Sequence, residues 1–217
     1  MCPRPLLLGH RGARGLKSTP ENTFSSFDLA LAEGCDGFEF DVRLTADGIP
    51  VICHDAEARG IEIAHATAQE LNGLPTLAEV LERYLDRAFL DIELKVAGLE
   101  EVTIALLQAH PAKKGCVVSS FLPEVLQALH RKDSKIPLGL ICETRVELRR
   151  WKQLPVEYVI PHYKLLDAAQ VRQLKAASKK IIIWTVNASA NIRRFARAGV
   201  DGIISDRPTL LVDALSS

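Results

Sequence analysis

No hydrophobic run in this 217-residue sequence approaches the roughly 20 residues of a membrane-spanning helix. The apolar stretch LLL at residues 6–8 is also too short for the hydrophobic region of a signal peptide. We therefore expect a cytoplasmic protein with no stable membrane association.

The sequence also lacks an excess of either charge, because Lys+Arg and Asp+Glu both number 27. That balance provides no broad basic surface for nucleic acid or for an anionic membrane. We expect a small-molecule partner and no nucleic acid.

A cysteine framework is missing as well. The five cysteines are odd in number and show no CxxC spacing, which excludes a typical disulfide scaffold or zinc site. We expect reduced and mostly buried thiols.

Hydrophobic residues make up 47% of the chain, enough for one sizeable core, and short aliphatic runs alternate with amphipathic helical patterns. Eight such pairs predict an α/β fold, a (β/α)₈ TIM-type barrel formed as a single domain by residues 1–217. An open doubly wound sheet is the alternative, although no GxGxxG follows any strand. We expect the strands near residues 6–9, 37–42, 88–94, 116–119, 138–141, 158–160, 181–185 and 202–204.

One segment interrupts the alternation with a short hairpin excursion after the second strand. Asp-Gly at 47–48 predicts a two-residue turn between two apolar arms. Counting outward from this turn sets Ala46 opposite Ile49 and Asp41 opposite His54. The hairpin should therefore return His54 to the rim of the barrel.

Charged residues lie at the ends of the second and third predicted strands. In GFEFDV, Glu39 and Asp41 share one face, and in FLDIELK the same holds for Asp91, Glu93 and Lys95. Barrel enzymes carry their chemistry at the carboxyl ends of the strands, so these groups should converge with the His-Arg pair at 10–11.

Inward carboxylates at one mouth repel each other unless a cation lies between them. All-oxygen ligands suit Mg²⁺ or Ca²⁺ better than zinc. The alternative is a rim of ion pairs, such as Arg11 with Glu39 and Lys95 with Asp91. We favour a divalent metal site whose ligands are Glu39, Asp41 and Glu93.

Two histidines at the same mouth, His10 and His54, add general acid and base capacity. Arg11 and Lys95 can hold oxyanions beside them. Together with a hard cation, these groups match the needs of displacement at a phosphate diester.

Two acidic residues have simpler interpretations. Ser18 and Glu21 form a capping-box pattern before the first helix, so we expect Glu21 to cap rather than to take part in catalysis. Asp55 follows His54 directly, and we expect it only to pair locally.

Six short motifs occur in order along the chain: HRG at 10–12, PENT at 20–23, ExD within GFEFDVRLTADGIPVICHD, ELK at 93–95, SSF at 119–121 and WTVN at 184–187. As an ordered set they resemble the glycerophosphodiester phosphodiesterase family. The resemblance implies a TIM-type barrel, a divalent cation at Glu39, Asp41 and Glu93, and an acid/base pair at His10 and His54. It further implies that Arg11 and Lys95 hold the phosphate and that Trp184 lines the pocket.

The chain departs from that family after the His-Asp pair at 54–55, where AEARGIEIAHATAQEL replaces an LxRTTxG stretch and leaves no room for a long inserted lobe. We expect an open mouth and metal-dependent hydrolysis of water-soluble glycerophosphodiesters to glycerol 3-phosphate and an alcohol. Two alternatives are another metal-dependent barrel enzyme acting on a phosphorylated small molecule, and a non-catalytic barrel that binds phosphorylated ligands.

Overall fold

The computed structural model describes residues 4–15, 18–110 and 112–216. Its strands are β1 Leu6–His10, β2 Gly37–Leu44, β3 Pro50–Ile52, β4 Glu57–Ala58, β5 Ile61–Glu62, β6 Phe89–Leu94, β7 Cys116–Ser120, β8 Leu138–Cys142, β9 Tyr158–Pro161, β10 Lys180–Ile183 and β11 Gly202–Ser205. Its α-helices are α1 Phe24–Ala32, α2 Leu77–Tyr84, α3 Glu100–Ala109, α4 Pro123–Lys132, α5 Arg145–Arg149, α6 Ala168–Ala176, α7 Ser189–Arg197 and α8 Pro208–Asp213.

Eight parallel strands form a closed barrel with helices between them. The strands pair in the order β1, β11, β10, β9, β8, β7, β6, β2, and β2 returns to pair with β1. Leu8 thus lies opposite both Ile204 of β11 and Gly37 of β2. The predicted TIM-type (β/α)₈ barrel is confirmed.

Alternating side chains divide each strand between an outer and an inner layer. Outside β2, Phe38 stacks on Phe27 of α1 with ring centroids 4.3 Å apart. Inside, Leu8, Ile182 and Ile204 belong to an apolar cluster that fills the barrel. The polar residues nearer the strand ends share this inner face and lie above the apolar floor.

The hairpin after β2 is present, but its predicted register was wrong by one residue. Arg43 pairs with Val51, and the Thr45 N–H donates to the carbonyl of Ile49. The loop therefore has three residues rather than two, because Gly48 takes a left-handed conformation at φ +78°. His54 still returns to the rim, although it is Cys53 whose N–H binds the Asp41 carbonyl.

The atypical segment at 56–74 folds as a small lobe against this hairpin. It contains the β4–β5 pair and buries Ala58, Ile63 and Leu71 against Val51. The Ala46 N–H also donates to the carbonyl of Ala66, which joins the hairpin loop to the lobe.

Cys35, Cys116 and Cys142 are buried free thiols and Cys53 is a half-buried one, as expected, while Cys2 lies outside the described residues. Across the described parts of the chain, every helix is too short or too polar to cross a membrane.

Candidate active site

A cavity of about 370 Å³ opens at the carboxyl ends of the barrel strands. Asp41 does not line it and is 1% exposed. The other seven residues that the sequence predicted for the site all line it, namely His10, Arg11, Glu39, His54, Glu93, Lys95 and Trp184.

The strand register assembles the acidic cluster. Parallel pairing of β2 with β6 sets Glu39 opposite Asp91 and Asp41 opposite Glu93. One oxygen from each of Glu39, Asp41 and Glu93 lies within 4.8 Å of the others, and all three residues are buried. Among the described residues, no other acidic, histidine or cysteine cluster has this geometry.

Crowding and burial act against full ionisation of the cluster. Burial, reinforced by Asp41 and Glu93, raises the pKa of Glu39 well above its usual value. Burial and the same Asp41 raise the pKa of Glu93 to about 7. Burial also opposes charge on Asp41, but Arg11 and Lys95 outweigh it and hold the pKa of Asp41 below its usual value.

The cluster fits a hard divalent cation. Glu39 Oε1 is buried and accepts no hydrogen bond from any described group, which is costly for a carboxylate oxygen. Three oxygen donors at this separation suit Mg²⁺ or Ca²⁺. A bound cation would satisfy that oxygen and relieve the repulsion that raises the two glutamate pKa values.

Arg11 and Lys95 do not form the two side-chain ion pairs that the ion-pair alternative predicted for them. Arg11 Nε lies 3.1 Å from Asp41, whereas Glu39 accepts a hydrogen bond from the backbone N–H of Arg11 at 3.0 Å. Lys95 Nζ lies 2.7 Å from Glu93 and 3.4 Å from Asp41. Both cations therefore border the acidic cluster and the cavity together.

The HRG turn explains why a buried strand runs into two charged residues. Arg11 and Gly12 both have positive φ, 50° and 79°. A Cβ on Gly12 would lie 2.4 Å from the Ser26 hydroxyl and 2.6 Å from the Ser26 carbonyl carbon. Only glycine fits there, and the resulting turn aims the Arg11 N–H at Glu39.

Glu21 does not cap the first helix, so that expectation was wrong. Thr23 is the N-cap of α1, and its side chain accepts a hydrogen bond from the backbone N–H of Ser26. Glu21 instead bridges Arg11 at 2.7 Å and Arg14 at 2.6 Å. The N–H of Asn22 donates to the Arg11 carbonyl, and α1 begins only after it, at Phe24. Glu21 therefore lies outside the helix and is available for these contacts.

Asn22 is a further site residue that sequence reasoning missed. Its side-chain amide donates to Asp41 Oδ2 at 2.9 Å, and its own φ is +57°. The PENT motif therefore supplies two polar groups, Glu21 and Asn22, that orient Arg11 and Asp41. Asn is one of the few residues other than glycine that readily adopts this left-handed conformation, so an Asn directly after Pro-Glu was the sequence signal that could have identified it.

Sequence reasoning also missed the residue that holds His10. Asp206, directly after β11, lies 2.6 Å from His10 Nδ1. Burial opposes its ionisation, but His10, Asn187 and Arg14 lower the pKa of Asp206 to about 2. An ionised carboxylate only accepts, so Nδ1 carries the proton, and Nε2 lies 3.8 Å from Glu39.

His54 has a carboxylate partner of a different kind. Its Nδ1 lies 2.7 Å from Asp55, which is exposed, so the expected local pairing is confirmed. Burial lowers the pKa of His54, and the hydrogen bond to Asp55 opposes this effect. The two imidazoles of the cavity are thus each oriented through Nδ1 by an aspartate.

The sequence profile of the glycerophosphoryl diester phosphodiesterase family matches residues 10–210. A glycerophosphodiester phosphodiesterase of Caldanaerobacter subterraneus subsp. tengcongensis is 28% identical over 239 aligned positions, which cover 97% of each chain.

Solved structures agree with the sequence comparison. An Oleispira antarctica phosphodiesterase in complex with the product sn-glycerol-3-phosphate is 28% identical with a TM-score of 0.88, covering 99% of this chain and 98% of that one. A glycerophosphodiester phosphodiesterase of Thermotoga maritima is 26% identical with a TM-score of 0.85, covering 98% and 99%. The chain therefore belongs to the glycerophosphoryl diester phosphodiesterase family and is a phosphoric diester hydrolase.

Proposed function

We propose that this enzyme performs metal-dependent hydrolysis of water-soluble glycerophosphodiesters to glycerol 3-phosphate and an alcohol. The observation that carries the proposal is the meeting of a three-carboxylate cluster, two cations and two oriented histidines at one cavity. The product complex of the Oleispira antarctica relative supports glycerol phosphate as the product.

Glu39, Asp41 and Glu93 would hold the divalent cation, Mg²⁺ or Ca²⁺. Such an ion neutralises charge on a phosphate oxygen and makes a nearby hydroxyl group more acidic. The three carboxylates would hold the cation at a defined place in the same cavity as the histidines.

Arg11 and Lys95 hold the phosphate. Each side chain is mostly buried, and each is already fixed by carboxylates rather than free to move in solvent. Preorganised cations stabilise the charge that develops on phosphate oxygens without a cost of reorganisation at that moment.

His10 and His54 exchange protons with the reacting oxygens. One imidazole accepts the proton of the attacking glycerol hydroxyl or water, and the other donates a proton to the oxygen of the leaving alcohol. Because the aspartates occupy Nδ1 of both rings, Nε2 is the atom available for each transfer.

The test is release of glycerol phosphate from glycerophosphocholine, with and without a chelator. His10→Ala and His54→Ala should each lower kcat by about two to four orders of magnitude. His130→Ala, an exposed histidine at the end of α4, is the matched control and should keep full activity. Turnover near that of the wild type in either active-site variant, or in excess chelator, would contradict the proposal.

We also propose that residues 1–217 form a single domain and that the protein works in the cytoplasm. Pairing of β1 with β11 links the two ends of the described chain in one barrel, which supports the first point. The four free thiols suit a reducing compartment and support the second.

A further inference from the structure

The walls of the active-site cavity differ in character. One wall, from the ends of β1, β2, β3 and β6, carries the histidines, cations and carboxylates described above. The opposite wall is apolar, with Phe121, Ile141, Ile160, Trp184 and Ile204.

Two aromatic rings of the apolar wall are held in a fixed arrangement. Phe121 and Trp184 pack edge to face, with centroids 5.8 Å apart and planes at 87°. Trp184 Nε1 donates to the carbonyl of Ile160 at 3.0 Å, so the only polar atom of the indole is already satisfied. His162 packs against the same indole at 5.4 Å. The wall thus offers rigid aromatic surface without a free hydrogen-bond donor from the indole.

The carboxylate residue Glu143 lines the same cavity as these two rings. Glu143 follows β8 directly, lines the cavity and is exposed. Its backbone N–H donates to Glu147 Oε2 at 2.9 Å, which anchors its position. Within the described residues, its own carboxylate has neither an ion pair nor a hydrogen bond, unlike Glu93, which Lys95 approaches at 2.7 Å.

Displacement at phosphorus sets the nucleophile and the leaving group on opposite sides of the phosphate. The proposed function places the nucleophile beside the acidic cluster. The alcohol that leaves must then lie toward the opposite, aromatic wall.

Resting on that proposed function, we propose that the aromatic wall with Glu143 selects a leaving alcohol that carries a positive charge, a substituted ammonium such as choline. Aromatic rings attract a cation through their electron-rich faces, and a carboxylate adds charge attraction. Lys95 Nζ lies 5.9 Å from the Phe121 ring but is paired with Glu93, which reduces its repulsion of a second cation.

The experiment compares glycerophosphocholine with the diester of 3,3-dimethylbutanol, which has the same shape without the charge. The wild-type enzyme should prefer the choline diester by about tenfold in kcat/KM. Glu143→Gln should reduce this preference about three- to fivefold through a higher KM for the choline diester. Its kcat/KM for the uncharged diester should stay the same.

Glu124→Gln is the matched control, since Glu124 is an exposed glutamate in the first turn of α4 and does not line the cavity. It should leave both kcat/KM values unchanged. Equal wild-type kcat/KM for the two diesters, or an equal loss for both in Glu143→Gln, would overturn the selection of a cationic alcohol while hydrolysis itself stands. No cleavage of either diester by the metal-loaded enzyme would instead overturn the proposed function and this inference with it.

Discussion

Among the residues that the structure describes, one hydrogen bond, from Nδ1 to Asp206, fixes the tautomer of His10. Asp206 accepts the Nδ1 proton and is itself held by Asn187, whose amide donates to Asp206 Oδ2 at 2.6 Å. This arrangement keeps a proton on Nδ1 and directs Nε2 toward the acidic cluster. The carboxylate therefore acts as a positioning residue, since its contact is with the imidazole.

We expect Asp206→Asn to lower kcat by up to about 10⁴-fold with little change in KM, because an amide can stabilise the wrong tautomer of an acid/base histidine. The measurement is steady-state kinetics on glycerophosphocholine. Asp201→Asn is the control, as that carboxylate pairs with Lys175 and takes no part in the cavity. A variant at 206 with the kcat of the wild type would show that the contact does not orient His10.

The pKa of His54 provides a second test at this scale. The Asp55 carboxylate stabilises the imidazolium, so its loss should lower the pKa of His54 further below the usual 6.5. NMR titration of the imidazole in Asp55→Asn should therefore show the midpoint at a lower pH than in the wild type. A midpoint that moves upward or stays constant contradicts the assigned hydrogen bond.

Period-two alternation predicted Glu39, Asp41 and Glu93 because it is a local property of each strand. Asp206 was not predictable in this way, since its contact with His10 depends on the closure of the barrel. Glu21 fitted a capping pattern locally, but two arginines compete for it in the fold.

At the scale of the element, the turn after β1 and the hairpin loop form a natural comparison. Gly12 and Gly48 have almost the same φ, 79° and 78°. A Cβ on Gly48 would meet no atom within 4 Å, whereas one on Gly12 would collide with Ser26.

We expect Gly48→Ala to cost about 1–2 kcal/mol of unfolding free energy, the price of left-handed backbone alone. Gly12→Ala should cost about 2–5 kcal/mol, since steric overlap with the backbone of Ser26 is added. Urea unfolding of the two variants measures the difference. Equal losses would mean that the turn after β1 can move away from α1.

The hairpin shows which features of an element the sequence predicts and which it does not. Asp-Gly correctly located the reversal of the chain, but a turn of two residues and a loop of three share that signature. The left-handed Gly48 shifts the register by one residue, a distinction that depends on backbone angles.

At the scale of the whole molecule, the acidic cluster links metal binding to stability. The pKa of Glu93 is about 7 in the fold against 4.5 as its reference. Between these values Glu93 binds more protons in the folded state than in the unfolded state, so its contribution to the stability of the metal-free protein falls as pH rises from about 4.5 to about 7.

A cation needs ionised carboxylates, so its stabilising effect should grow over the same pH range. At a hundredfold excess over Kd, we expect Mg²⁺ or Ca²⁺ to raise Tm by about 5–10 °C at pH 8 and by much less at pH 5. Thermal unfolding with the metal or with a chelator measures this. An unchanged Tm at pH 8, or the same increase at both pH values, contradicts the metal site.

The size of the cavity bears on the substrate. About 370 Å³ is near the lower limit of small-molecule sites, and the exposed large apolar side chains of the described chain, Ile49, Ile61 and Val146, lie on separate elements. We expect a higher kcat/KM for glycerophosphocholine than for lysophosphatidylcholine below its micellar concentration. A better lysolipid substrate would require an acyl-binding groove, for which the lobe at 56–74 is the place to search.

Closure of the barrel by β11 also sets an order in time. The ribosome makes β1 first, and it can pair with β2 long before residues 202–205 exist. Until then, β1 keeps one open edge and His10 has no Asp206 to orient it. The strands that carry Glu39, Asp41 and Glu93 also precede β11 in the sequence, so the residues of the acidic cluster are synthesised before the carboxylate that orients His10. The last barrel strand in the sequence therefore completes both the sheet and the orientation of His10.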